Sequence, residues 1–151
     1  MPQIVKWPGK VEAGSVSNHV TGFEDWLPTL LDLIDSEAGV PEGVNGLSIA
    51  PTLLGEEQEE RRFLYREFTG YGGQQAVWLG ERWKGIRRDL LKKGNENPLE
   101  IHLFDMQADP SESTNVASEN PEVLAEIEGL MKSERVPSEA FPIPVLDALS
   151  E

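Results

Sequence analysis

The sequence predicts an α+β fold: a small four-stranded antiparallel sheet packed by a C-terminal helix, preceded by an N-terminal helix and a loop segment. Residues 63–68, 75–79, 82–87 and 101–104 are short runs of apolar and aromatic residues separated by Gly, Asp and Asn punctuation. The connections between the first three are too short for a parallel crossover, which needs a dozen or more residues, so the sheet is antiparallel. Residues 121–131 carry Val123, Leu124, Ile127, Leu130 and Met131 at helical spacing.

In chain order, Gln3-Ile4-Val5-Lys6-Trp7 before Pro8-Gly9 reads as a brief strand entering a turn, although no partner strand is evident. The first helix is expected over residues 21–35, with Phe23, Trp26, Leu27, Leu30, Leu31 and Ile34 on one face. Thr21 and Glu24 have the spacing of a capping box. Pro28 either bends this helix or lies in its first turn. Residues 37–55 read as a packed loop with one helical turn, and the run from Glu56 to Arg62 as a solvated connector.

Phe63, Tyr65 and Glu67 alternate with Leu64, Arg66 and Phe68. Gly70 to Gly73 and Gly80-Glu81 are the hairpin turns. In the closing helix Asn120 stands at the N-cap, Pro121 at the first helical position, and Glu122 complements the dipole. Burying its five apolar side chains stabilises by about 7–15 kcal/mol before entropy, an upper bound. After Arg135 the chain turns Pro-rich and is expected to run as an extended surface tail. The domain division is 1–60 for the helix-and-loop segment and 61–151 for the sheet, its helix and the tail.

Composition narrows the function classes. The 151 residues include 13 basic and 27 acidic side chains, a formal net charge of -14, which repels phosphate backbones and anionic lipid. Neither nucleic acid nor a membrane is expected as a partner. The absence of cysteine removes disulfides, thiolate metal sites and thiol nucleophiles. No apolar run approaches the ~20 residues of a membrane span, and MPQIVKWPGK lacks the long apolar core of a signal peptide.

The residues alone assemble no active site. His19 and His102 are isolated and read as structural or surface groups. Asp105, Asp109 and Glu112 lack the alternate spacing of a calcium loop, and Asp109-Pro110-Ser111-Glu112 is better read as a turn. No serine stands in a Gly-x-Ser-x-Gly elbow, and no glycine-rich loop opens a helix. Arg82, Lys84, Arg87, Arg88, Lys92 and Lys93 form a basic cluster, read either as a solvated sheet edge or as an anion-binding cleft shared with another domain.

Five segments in order resemble the C-terminal portion of the sulfatase family. Pro2-Gln3-Ile4-Val5-Lys6-Trp7-Pro8-Gly9-Lys10 is similar to the segment that follows the family's last metal and lysine motifs. Asp25-Trp26-Leu27-Pro28-Thr29-Leu30-Leu31 resembles its Asp-x-x-Pro-Thr helix. Asn45-Gly46-Leu47-Ser48, followed by Leu53-Leu54-Gly55, resembles its Asp-Gly-x-Ser loop with Asn replacing Asp. Gln75-Ala76-Val77 through Trp83-Lys84 resembles its C-terminal sheet. So does Leu103-Phe104-Asp105 with Asp109-Pro110-Ser111-Glu112 to Asn115. Trp78 stands where the family often has Arg, so no anion contact is carried to that position.

The resemblance implies a C-terminal fragment of an arylsulfatase-like enzyme of the alkaline phosphatase superfamily, with Met1-Pro2 replacing the end of an Arg-x-Pro stretch. Residues 1–60 would belong with the missing large domain and 61–151 would form the C-terminal subdomain. The family hydrolyses sulfate esters with a formylglycine and a calcium ion, both housed in the N-terminal domain; no catalytic or metal residue is carried over. The parent would be exported, to the periplasm or outside the cell, and the chain alone is expected to be inactive.

The turn from Arg66 to Gln75 is either a plain hairpin turn or the border of a substrate cleft. The second reading gives Arg66, Glu67, Gln74, Gln75 and Lys84 as substrate-binding residues. The expected partner is the missing N-terminal sulfatase domain. The alternative is a self-associating module that buries Trp7, Phe23, Trp26 or Leu30 between copies. A fragment of a related phosphoester hydrolase is a further alternative.

Overall fold

The computed structural model describes residues 3–149 and divides the chain into two compact units, Met1–Arg61 and Arg62–Glu151. The Met1-Pro2 feature lies outside the described residues.

In the first unit, residues 3–7 are not a strand. They find no partner strand among the described residues, and an unpaired strand has no ladder to hold it. The Trp7 carbonyl instead accepts from the N–H groups of Lys10 (3.1 Å) and Val11 (2.9 Å), closing the Pro8-Gly9 turn. A single 3-10 turn, Phe23–Asp25, leads into α1, Trp26–Leu33. Pro28 therefore falls in the first turn of α1, where a missing N–H leaves no helical bond unmade. The capping pair is shifted by one residue from the expected Thr21 and Glu24: Asp25 Oδ2 accepts from the N–H of Gly22 at 2.7 Å.

The helix ends with Asp35 at φ 48 and the Ser36 N–H bonded to the Leu31 carbonyl at 2.9 Å. A short α2, Ala50–Leu54, is closed by Gly55 in the left-handed region. The buried residues of α1 are Pro28 and Thr29. Phe23, Leu27, Leu30 and Ile34, spaced four, three and four apart, form an exposed apolar stripe instead of a core face.

In the second unit the sheet order is β1-β2-β3-β4, all antiparallel, with β1 Phe63–Phe68, β2 Gln74–Leu79, β3 Trp83–Arg87 and β4 His102–Asp105. The register sets Glu67 opposite Gln75 and Gln75 opposite Arg87. Their neighbours Arg66, Ala76 and Ile86 point to the other face. Helix α3, Pro121–Ser133, covers the first face: Ile127, Leu130 and Met131 pack with Val77, Ile101 and Leu103. Ala76, Ile86 and Phe104 cluster on the opposite face with Trp78 and Met106.

Asn120 holds the N-cap position of α3, but its side chain makes no cap; its amide donates to the Val116 carbonyl at 3.0 Å. The tail is not merely extended over the surface. It forms α4, Pro144–Asp147, and buries Ile143 and Leu146 against Leu90. The α+β architecture expected from the sequence is the one observed.

Candidate functional site

The motif residues of the first unit converge on one carboxylate. Asp25 is fully buried; its Oδ1 accepts from the Leu47 N–H at 2.9 Å and pairs with the Arg61 guanidinium, while Oδ2 holds Gly22. One turn on, Thr29 Oγ1 donates to the Asp25 carbonyl at 2.5 Å and accepts from the Ile49 N–H at 3.0 Å. Asp32, one further turn on, accepts from Ser48 Oγ at 2.7 Å.

The spacing Asp25, Thr29, Asp32 thus aligns three polar groups on one side of the helix, and each grips the 46–49 loop. Gly46 lets that loop approach, since a Cβ there would overlap the Glu24 carbonyl and stand 3.0 Å from Pro28 Cγ. These residues are structural.

The acidic connector is less solvated than expected. Arg61 is the buried partner of Asp25, and Gln58 Oε1 accepts from Thr52 Oγ1 at 2.9 Å while its Nε2 donates to the Ser48 carbonyl at 3.1 Å. Neither link was legible from charge density along the chain.

The five substrate-binding candidates fall on two faces of the sheet. Glu67 and Gln75 face α3 and enter a buried polar network. Tyr65 donates its hydroxyl proton to Glu67. Gln75 Nε2 donates to the Tyr65 oxygen and to the Met131 carbonyl, both at 3.0 Å. Gln75 Oε1 accepts from Arg87 at 2.9 Å, and Arg87 Nε donates to the Leu99 carbonyl at 3.0 Å. Arg135 pairs with Glu67 at 3.0 Å and with Asp147 of α4 at 2.6 Å.

Burial, followed by the Glu67 hydrogen bond, pushes the Tyr65 phenol far above its ordinary value, so it remains a donor. Burial also draws the Arg87 guanidinium down, against the opposing pull of Glu128. Sequence separation hid this network, since Arg135 lies just past the end of α3 and Asp147 in what read as a tail.

Arg66, Gln74 and Lys84 lie on the other face. The Arg66 guanidinium donates to the Tyr65 carbonyl at 2.8 Å. Lys84 is on an interior strand rather than at a solvated edge. Its ammonium lies 4.8 Å from the Trp78 ring centroid and 2.5 Å from Glu112, which also pairs with Arg88 at 3.0 Å. Lys84 and Arg88 therefore clamp the 105–114 turn to β3. Arg82 closes the same turn by pairing with Asp105 at 2.7 Å.

Asp109 supplies the centre of that turn: Oδ2 accepts from the N–H groups of Ser113 (2.7 Å) and Thr114 (2.8 Å). The Thr114 amide, more than any other group, holds this carboxyl below the usual carboxylate range. A depressed folded value means the stabilisation is fully present above the unfolded value of ~3.9 and is lost as pH falls through the lower folded value. An NMR titration of the Asp109 carboxyl is expected to give a midpoint below ~3.9. A midpoint at or above that value would remove Asp109 as the organiser of the turn.

The residues present do not supply the formylglycine or the calcium site that the resemblance implies. The sequence contains no cysteine, and among the described residues no group of three or more His, Cys, Asp or Glu is placed to hold a metal ion. His102 contacts Asn115 at 3.4 Å.

Residues 1–136 match the profile of the family described as N-sulphoglucosamine sulphohydrolase, C-terminal. The chain belongs to this family of sulfatase C-terminal domains. The chain is 32% identical over 121 residues to an N-acetylglucosamine-6-O-sulfatase of Bacteroides thetaiotaomicron, covering 77% of this chain and 21% of the relative. It is 31% identical to arylsulfatase K of Gallus gallus, covering 88% and 25%. A Formosa agariphila ulvan-active sulfatase is 29% identical, covering 87% and 31%. The chain thus spans between 21% and 31% of the length of these curated relatives.

Among solved structures, a 2-O GAG sulfatase superposes with a TM-score of 0.54 at 32% identity, covering 73% of this chain and 23% of that one. A structure solved with k-i-k-neocarrahexaose gives 0.65 at 20% identity, covering 95% and 31%, and shows the shared fold.

Proposed function

We propose that this chain is the non-catalytic C-terminal part of a hydrolase acting on sulfate esters of saccharides. The observation that carries the reading is the family match over residues 1–136. Two of the relatives named above supply the saccharide: one is an N-acetylglucosamine-6-O-sulfatase and another an ulvan-active sulfatase. The chemistry of sulfate transfer belongs to the part of the enzyme that this chain does not cover.

In this reading the chain's own residues position and bind. Arg66 and Gln74, on the face opposite α3, offer a cation and an amide to the substrate. Glu67 and Gln75 hold the ends of β1 and β2 from beneath, and Lys84 fixes the turn around Glu112. The missing large domain covers the apolar stripe of α1, on which Phe23 is 90% and Leu30 53% exposed.

The same stripe supports the second reading, in which two copies of the chain bury it between them. A monomer in light scattering, with the fold intact, would count against that reading. The parent enzyme is tested by the in-frame sequence upstream of the Met1 codon. A Cys-x-Pro-Ser-Arg motif, or the same motif with Ser in place of Cys, is expected there, and the absence of both would contradict sulfatase parentage.

A further inference from the structure

We propose that Phe68 and Tyr71, at the β1–β2 hairpin, form a stacking platform for a pyranose ring of an anionic saccharide, with Arg66 and Gln74 as its polar rim. The inference rests on the saccharide-sulfate reading above and adds the groups that would hold the sugar ring.

Both aromatic side chains stand in solvent, Phe68 56% and Tyr71 86% exposed, in a chain with a formal net charge of -14. Their ring centroids are 6.0 Å apart and the planes are inclined by 49°, so they make two walls of an open angle. The loop is shaped to present them. The Phe68 ring lies over Gly70, where a Cβ would stand 2.6 Å from its Cζ, so any other residue would lift the ring.

Tyr71 has φ 50, a left-handed conformation uncommon outside glycine and of the kind found at ligand clamps. Gly72 and Gly73 follow with φ 83 and 82. The backbone is fastened by hydrogen bonds from the Leu91 N–H to the Gly72 carbonyl (2.7 Å) and from the Leu90 N–H to the Gly73 carbonyl (3.1 Å).

The surroundings select the ligand. Phe68 pairs across the hairpin with Gln74, and Arg66 lies two residues back on the same face. Aromatic faces take the C–H side of a sugar ring, an amide takes hydroxyls, and a guanidinium takes sulfate. Small-ligand sites are built in this way, from aromatic surface with a few placed polar groups. A protein partner would call for a wider contiguous apolar surface than two rings.

The test is a titration of the 151-residue chain with N-acetylglucosamine 6-sulfate and, separately, with N-acetylglucosamine, followed by amide chemical shifts. Saturable shifts are expected at residues 68–74, weakened roughly threefold or more by Phe68→Ala and by Tyr71→Ala and retained in Tyr71→Phe. Unchanged β4 and α3 amide shifts in each variant show that it is folded. Arg66→Gln is expected to weaken the sulfated sugar only. No saturable shift with either sugar, or shifts indifferent to both alanine variants, would overturn the platform. Equal binding of the two sugars would leave the platform standing and count against the sulfate-ester reading on which it rests.

Discussion

Replacing Asp25 by Ala is expected to destabilise the first unit by about 3–5 kcal/mol, the range for breaking a buried ion pair from one side. The substitution strips a partner from three donors at once: the Gly22 N–H, the Leu47 N–H and the Arg61 guanidinium. Arg61 is only 11% exposed at its side chain, so its charge cannot turn to water without moving the segment. The two orphaned amides account for part of that loss, since an unsatisfied buried donor costs about 1–3 kcal/mol.

Arg61→Met alone leaves the carboxylate buried with only its two amide donors and is also expected to destabilise. The double variant should lose less than the sum of the singles, because removing both charges removes the unpaired one. Chemical denaturation followed by the amide NMR signals of α1 reads this out. A loss below ~1 kcal/mol for Asp25→Ala would mean that the carboxylate is not the hub of the unit.

Ile127→Ala is expected to cost the second unit about 2–5 kcal/mol, the range for truncating a buried aliphatic side chain. Ile127 is fully buried, in the cluster that joins α3 to the sheet. Its Cγ2 lies where a side chain on Gly85 would be, 2.5 Å from that position, and Ile101 stands at 3.3 Å from the same point. The isoleucine thus packs directly on the β3 backbone. Backbone cannot collapse into the cavity as a side chain could, which places the loss towards the upper part of the range. The check is a denaturation curve with unchanged slope and a lowered midpoint. An unshifted midpoint would contradict the assigned packing of α3.

Much of this was legible in the sequence because it is local. The alternation of Phe63, Tyr65 and Glu67 with Leu64, Arg66 and Phe68 fixes the faces of β1, and short glycine turns fix the strand order. The face of α3 follows from the spacing of Val123, Leu124, Ile127, Leu130 and Met131. What failed depends on contacts distant in sequence. Residues 3–7 have strand composition without a partner, and composition cannot supply one.

The face of α1 reads as apolar whichever way it points; its exposure is decided by Asp25, Thr29 and Asp32 gripping the loop on the other side. Arg61 hid in a run of charges, and the docking of Ile143 and Leu146 hid behind three prolines. In the candidate site, sequence order placed Arg66, Glu67, Gln74 and Gln75 side by side, whereas strand alternation separates them onto two faces.

In the proposed reading the polar groups of this chain hold structure and present a surface, while sulfate-ester chemistry is supplied by the part of the enzyme that the chain does not cover. The most direct measurement is turnover of an aryl sulfate by the purified chain with calcium added. No sulfate release above the uncatalysed rate is expected. Calcium-dependent release that tracks the folded chain would contradict that reading.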